Sequence, residues 1–183
     1  MPEPLRVLFV CTANICRSPA MELIARDLAG DADVVISSAG THARDGHPIN
    51  VDITPTLPPG LLDGAGAFRS RLLTAALLDE ADLVLTAESV HRQHILDDHP
   101  HLHRKVFTLG QFAATIAEIP DLGGRDLVAA AGQRRTPSSP AHDVADPYRR
   151  GAVASEQATG TITAMLGEIV PRLAEQAAPE QES

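Results

Sequence analysis

Leu5-Arg-Val-Leu-Phe-Val10 runs directly into Cys11-Thr-Ala-Asn-Ile-Cys-Arg17-Ser18-Pro19. The first six residues are apolar apart from Arg6, the pattern of a strand buried on both faces. Pro19 fits the first position of a helix, where its missing N–H costs little. Ala20, Leu23, Ile24 and Leu28 then form one helical face, and Gly30 stops it. Between the two lies a loop that leaves the carboxyl end of a strand and enters a helix. Backbone N–H groups converge in such a loop, and the helix start adds positive potential, so it can seat a tetrahedral oxyanion. Arg17 can grip two of the oxygens. The same potential favours thiolate at Cys11, and the thiolate is the nucleophilic form. The Ser18 hydroxyl can donate to that sulfur as it leaves. Thr12, Ala13, Asn14, Ile15 and Cys16 complete the wall that would meet a substrate. The chemistry this set permits is double displacement at phosphorus through a cysteinyl-phosphate.

Outward from the loop, strands and helices alternate. Val34–Ser37 reads as a second strand that ends in Ser38-Ala-Gly-Thr41, Asp82–Thr86 as a third and Lys105–Leu109 as a fourth. Helical patterns cover Leu72–Leu78, Glu88–Leu96 and the stretch from Leu109 to about Glu118. Ala154, Ala158, Ile162, Met165, Ile169 and Leu173 recur at helical spacing near the end. This alternation predicts an α/β fold, a parallel sheet with helices on both faces. Residues 42–69 are rich in Gly, Pro and Asp and read mostly as loop. Residues 119–142, with Gly123-Gly124 and Thr136-Pro-Ser-Ser-Pro140, read as a long mobile excursion that a short helix near Asp126–Ala131 interrupts. The chain reads as one domain over residues 1–175, followed by a disordered tail at 176–183.

The 24 acidic and 15 basic residues give a net charge of −9, which disfavours nucleic acid and anionic membranes as partners. No apolar run is long enough to span a bilayer, and no secretory leader pattern is visible at the start. Both cysteines sit in one loop, which argues against a disulfide framework. These observations place the protein in the cytoplasm.

Thiolate attack also needs an acid for the leaving oxygen. Asp146, in Asp143-Val-Ala-Asp146-Pro-Tyr148, follows the long excursion and precedes the last helix, where a residue can fold over a pocket. Asp143 is a spare carboxylate beside it. Cys-x5-Arg-Ser-Pro after the first strand, with a late Asp-Pro-Tyr, resembles the low-molecular-weight protein tyrosine phosphatase family. Ser38-Ala-Gly-Thr41, Ser70-Arg71-x-Leu73 and Ala81-Asp-Leu-Val-Leu85 extend the resemblance in the same order. It implies a four-stranded parallel sheet between helices, and neither metal nor organic cofactor. By position it implies Cys11 as nucleophile, Arg17 as phosphate clamp, Ser18 as thiolate partner and Asp146 as general acid. Asn14 would shape the loop from a left-handed conformation that Asn tolerates, with Ser38 as a support. Tyr148 would be the ring beside the pocket.

Three departures stand out. Ala13 replaces a common Gly. Phe68 replaces a His that commonly supports the loop Asn. His42-Ala-Arg-Asp-Gly46 lacks the aromatic that often lines the slot. Phosphatase chemistry is therefore expected with a weakened preference for phosphotyrosine. The substrate class is a phosphorylated protein or small phosphomonoester. The competing activities are thiol-dependent arsenate reduction and phosphate binding with weakened catalysis. Cys16 is either a small buried residue at the helix start or a partner for a reversible disulfide with Cys11. The histidines at 91, 94, 99, 101 and 103 read as solvated surface rather than a metal site.

Overall fold

The computed structural model describes residues 3–175; the expected tail at 176–183 lies outside the described residues. Four strands, β1 (Leu5–Cys11), β2 (Val34–Gly40), β3 (Leu83–Thr86) and β4 (Val106–Thr108), form one parallel sheet in the order β2-β1-β3-β4. β1 runs the length of β2, from Leu5 beside Val34 to Cys11 beside Gly40, and its other edge pairs with β3 from Val7 to Val10. Strand alternation then sorts the core. Val7, Phe9, Leu83, Leu85 and Phe107 face a cluster built with α1 (Arg17–Ala29), α5 (Leu109–Ala117), α6 (Gly124–Gln133) and α7 (Gly151–Ala174). Leu8, Val10, Val84 and Val106 face Leu78 of α3 (Ala75–Glu80) and Ile95 of α4 (Ser89–Asp98). The expected parallel sheet between two helical layers is what forms.

Strand order fixes where a site can be. After β1 the chain turns to one side for β2 and then crosses to the other side for β3. The carboxyl ends of β1 and β3 therefore flank a topological switch point, where open α/β sheets leave a crevice. The loop after Cys11 opens into it.

Several boundaries differ from the sequence reading, each for a local reason. α1 begins at Arg17, two residues before Pro19. The first N–H groups of a helix have no intrahelical partner, so a proline within the first turn forfeits nothing. The helix expected over 72–78 starts at Ala75, because the Thr74 side chain accepts the Leu77 N–H as an N-cap, while Leu72 bridges Gly40 beside the sheet. Within 42–69, α2 (Leu62–Ala67) is a short helix with two glycines and one buried residue, Ala65, too little periodicity to read.

The excursion expected at 119–142 holds the ten-residue α6, with Leu127, Val128 and Ala131 buried. Gly124, read as a loop signal, lies at the helix start with φ +52, and a side chain there would meet the Glu175 carbonyl oxygen at 2.7 Å. Beyond α6, the Arg135 guanidinium lies 4.0 Å over the Phe107 ring and donates to the Val106 carbonyl at 2.7 Å. Removal from water pushes the Arg135 pKa down to about 10. The segment is thus tied to α7 at one end and to β4 at the other.

Gly40, at the end of β2, touches the loop itself. A Cβ there would come within 2.6 Å of the Thr12 carbonyl oxygen and 2.8 Å of the Asn14 nitrogen. Both are backbone atoms that cannot turn aside, so Gly40→Ala should cost about 1–3 kcal/mol through overpacking. Urea denaturation should show a lower midpoint; an unchanged midpoint would contradict this contact.

Candidate active site

Cys11 ends β1, and Arg17 begins α1. The five residues between them turn back over the strand end because Asn14 adopts φ +54. A left-handed conformation is uncommon outside glycine, and Asn is among the side chains that tolerate it. Its amide then holds the loop. Nδ2 donates to Ser18 Oγ and to Ser38 Oγ, both at 2.8 Å, and Oδ1 accepts the Arg71 backbone N–H at 2.9 Å. Asn14, Ser18 and Ser38 are all buried. Ser38 in turn donates to Glu22 Oε2 at 2.5 Å, and Glu22 pairs with Arg26 at 2.7 Å. The support expected to be absent with Phe68 is supplied otherwise: the Arg71 N–H takes the Asn14 oxygen, while Phe68 packs on the core.

The Cys11 sulfur lies 3.0 Å from Ser18 Oγ. Because Asn14 donates to that oxygen, the Ser18 proton is free to point to the sulfur or to the Ala39 carbonyl, 3.3 Å away. A thiolate draws the proton toward itself; a thiol can donate to Ser18 while Ser18 donates to Ala39. One hydroxyl therefore serves both ionisation states.

Arg17 is buried, with its Nη1 held from behind by Glu88 Oε2 at 2.5 Å and the Val144 carbonyl at 2.9 Å. Its Nη2 lies 3.3 Å from Asp146 Oδ1. Beyond that contact neither Nε nor Nη2 has a hydrogen-bond partner among the described residues, and a guanidinium fork of this kind can take two oxygens of an oxyanion. Glu88 also caps α4, through a reciprocal pair with His91. The segment carrying Asp146 is pinned just ahead of that residue. Asp143, the spare carboxylate, accepts the backbone N–H and the hydroxyl of Ser89 at 2.7 and 2.9 Å, and the Val144 N–H bonds the Ala87 carbonyl at 2.8 Å.

These groups enclose a pocket of about 250 Å³ lined by Cys11, Thr12, Ala13, Ile15, Cys16 and Arg17 of the loop with Asp146 and Tyr148 opposite. Of the residues singled out in the sequence, eight meet there, and Asn14, Ser18 and Ser38 stand behind the loop as supports. Ala13 lines the pocket. His42 donates its backbone N–H to the Thr12 carbonyl, and its ring lies against His94 at 5.2 Å between centroids. Cys11 and Cys16 are both free and buried, and burial together with the neighbouring Cys11 pushes the Cys16 pKa up to about 12, so Cys16 is a thiol at neutral pH.

Sequence reasoning missed Glu88 and His91 as site residues. His91, read as one of a solvated histidine run, is buried. Its Nδ1 accepts the Glu88 backbone N–H at 3.1 Å, which puts the remaining proton on Nε2, 2.8 Å from Thr12 Oγ1. Both ring nitrogens are occupied, so the ring props the loop. Its Nε2 is also 3.8 Å from Glu88 Oε2, but burial and then the Arg17 charge lower its pKa to about 4, and the contact joins a neutral ring to a carboxylate. The signal that finds both residues is positional: they follow β3, which abuts β1.

The family model described as low molecular weight phosphotyrosine protein phosphatase matches residues 6–123. The chain belongs to this family. It is a cysteine-dependent phosphatase, a phosphomonoester hydrolase. One relative, a probable low molecular weight protein-tyrosine-phosphatase EpsP from Ralstonia nicotianae, is 30% identical over 91% of this chain and 94% of its own length. Another, a protein-arginine-phosphatase from Geobacillus stearothermophilus, is 37% identical over 64% of this chain and 78% of its own. Among solved structures, the YwlE arginine phosphatase from Geobacillus stearothermophilus superposes with a TM-score of 0.71 at 26% identity, covering 93% of each chain. No helix among the described residues is long and apolar enough to cross a membrane.

The neutral His91 gives a pH prediction. Its folded pKa lies below the ordinary 6.5, so the unfolded chain binds the extra proton and stability falls as pH drops from 6.5 toward about 4. The loss attributable to this ring is about 3 kcal/mol. The stability difference between the wild type and His91→Gln, from denaturant titrations at several pH values, should shrink by that amount on acidification. A difference independent of pH would refute the assignment.

Proposed function

We propose that the chain hydrolyses phosphotyrosine in proteins in the cytoplasm, with Cys11, Arg17 and Asp146 as the catalytic residues. The observation that carries this reading is the convergence of all three on one pocket whose remaining walls are largely apolar. A phosphoryl group seated on the loop N–H groups meets the Arg17 fork, and the aryl ring extends outward between Ile15 and Tyr148. The Cys11 thiolate attacks phosphorus, the P–O ester bond breaks, and the leaving oxygen takes its electron pair and a proton from Asp146. Water then attacks the cysteinyl-phosphate and gives a proton back to Asp146. The P–S bond breaks, and the sulfur departs as a thiolate stabilised by a hydrogen bond donated from the Ser18 hydroxyl.

Phosphoarginine would bring guanidinium N–H donors into the same space. Asp146 is the one carboxylate among the pocket residues that could accept them, and the phosphoryl transfer already engages it. An aryl ring makes no such demand. Tyr148 is the one aromatic ring lining the pocket, and such a contact is worth about tenfold beyond simple burial. The preference for phosphotyrosine over small alkyl phosphates is accordingly modest.

The test is phosphate release from a phosphotyrosine peptide and from a series of aryl phosphates. Cys11→Ser should abolish turnover of all of them. Asp146→Ala should slow esters of poor leaving groups by about 10²–10⁴-fold and leave dinitrophenyl phosphate little changed. Equal losses across the series would remove Asp146 from the acid role. Turnover that survives in Cys11→Ser would overturn the mechanism.

A further inference from the structure

The lip of the pocket carries two arginines that the chemistry described above does not use. Arg149 and Arg150 directly follow Tyr148, which lines the pocket and is 42% exposed. The Arg150 backbone N–H bonds the Pro147 carbonyl at 3.0 Å, which closes a turn at the pocket edge. Within that turn Arg149 adopts φ +59. A long side chain without a local hydrogen bond of the Asn type does not favour this region, so the turn is held against the intrinsic preference of its residue. The conformation sets the Arg149 guanidinium 5.1 Å from the centroid of the Tyr148 ring, a cation–π approach that ties the charge to the pocket wall. Arg150 occupies the cap position of α7, whose amino end adds positive potential to the same spot.

Neither arginine has a carboxylate within 4.0 Å among the described residues. Elsewhere in the chain Arg17, Arg26 and Arg125 are paired with acids, and Arg71, Arg92, Arg135 and Arg172 donate to backbone carbonyls. Arg6, Arg44, Arg104 and Arg134 are likewise exposed and without a side-chain partner among the described residues. What sets Arg149 and Arg150 apart in a chain of net charge −9 is their place, directly after the Tyr148 that lines the pocket. That net charge repels an acidic partner at long range, while the lip attracts it at short range.

We infer that Arg149 and Arg150 form a specificity lip that binds carboxylates flanking the phosphorylated residue, so that the preferred substrate class is an acidic phosphopeptide. With the phosphoryl group at Cys11, the peptide backbone crosses the pocket mouth. Residues next to the phosphorylated one are spaced about 3.4 Å apart in an extended strand, within reach of an arginine that packs on Tyr148. The inference rests on the phosphotyrosine reading and deepens it.

The experiment compares three substrates: a phosphotyrosine peptide with Asp at the flanking positions, the same peptide with Asn there, and p-nitrophenyl phosphate. For the wild type at about 50 mM salt, kcat/KM should favour the Asp peptide by about three- to tenfold, and the advantage should shrink toward unity at about 500 mM. The double variant Arg149→Asn/Arg150→Gln, with Asn chosen because it tolerates the left-handed turn, should lose the advantage and hydrolyse p-nitrophenyl phosphate within about twofold of the wild type. Arg149→Lys/Arg150→Lys, which keeps the charge, should retain part of it. Equal rates on the two peptides, or an advantage that survives in the Asn/Gln variant, would overturn the lip while the p-nitrophenyl phosphate rate leaves the phosphatase reading intact. No turnover of any of the three substrates by the wild type would overturn both.

Discussion

A single side-chain amide sets the shape on which the site depends. Asn14 is buried in a left-handed conformation, with both amide protons and its oxygen engaged. The conformation costs roughly 1–2 kcal/mol for an ordinary residue, and each hydrogen bond returns about 1 kcal/mol. More important than the sum is the geometry. The three bonds reach α1 through Ser18, β2 through Ser38 and the segment before α3 through Arg71, so the loop is fixed against three separate pieces of the fold. Ser38 is itself held by Glu22, which extends the chain of contacts along α1 to Arg26. This amide fixes the path of the backbone between Cys11 and Arg17.

The second half of the site comes from across the sheet. β3 lies beside β1, so the residues that follow it meet the loop from the other side of the switch point. Glu88 holds the back of the Arg17 guanidinium and His91 props Thr12, while Asp143 and Val144 bind the segment of Asp146 to the same helix start. The clamp and the candidate acid are thus positioned by one scaffold. A buried arginine with its counter-charge removed is strongly destabilising, so the Glu88 carboxylate is part of what makes a buried clamp tenable.

The part of the site that was legible in the sequence is local. Cys11 through Ser18 could be read as one unit because a strand, a loop and a helix follow one another without interruption, an order the structure keeps, and loop geometry depends on neighbours in the chain. Asp146 was singled out by its place between the long excursion and the last helix, and Ser38 through resemblance to a family; the structure sets Asp146 on the pocket wall and Ser38 against the Asn14 amide. Glu88 and His91 were not legible as site residues, and Arg71, quoted only as part of a motif, gave no sign that its backbone N–H would hold Asn14, because these roles exist only once β3 and the segment before α3 are laid beside β1. No spacing in the chain encodes that adjacency. Phe68 shows the converse: a missing side chain suggested a weakened loop, but a backbone N–H takes its place, and backbone groups leave no mark in a sequence. The glycines at 123 and 124 misled for the opposite reason. They looked like loop punctuation, whereas the Gly124 conformation and its close approach to Glu175 start a packed helix.

The central claim is that sulfur at Cys11 carries the phosphoryl group between the two displacements. The most direct test is rapid acid quench of the enzyme during turnover of an aryl phosphate, followed by peptide mass spectrometry. The account predicts a transient phosphoryl adduct on the peptide containing Cys11, located on that sulfur, forming as the phenol is released and decaying as phosphate appears. Phenol release with no phosphoryl adduct at any time, or an adduct on a different residue, would contradict it.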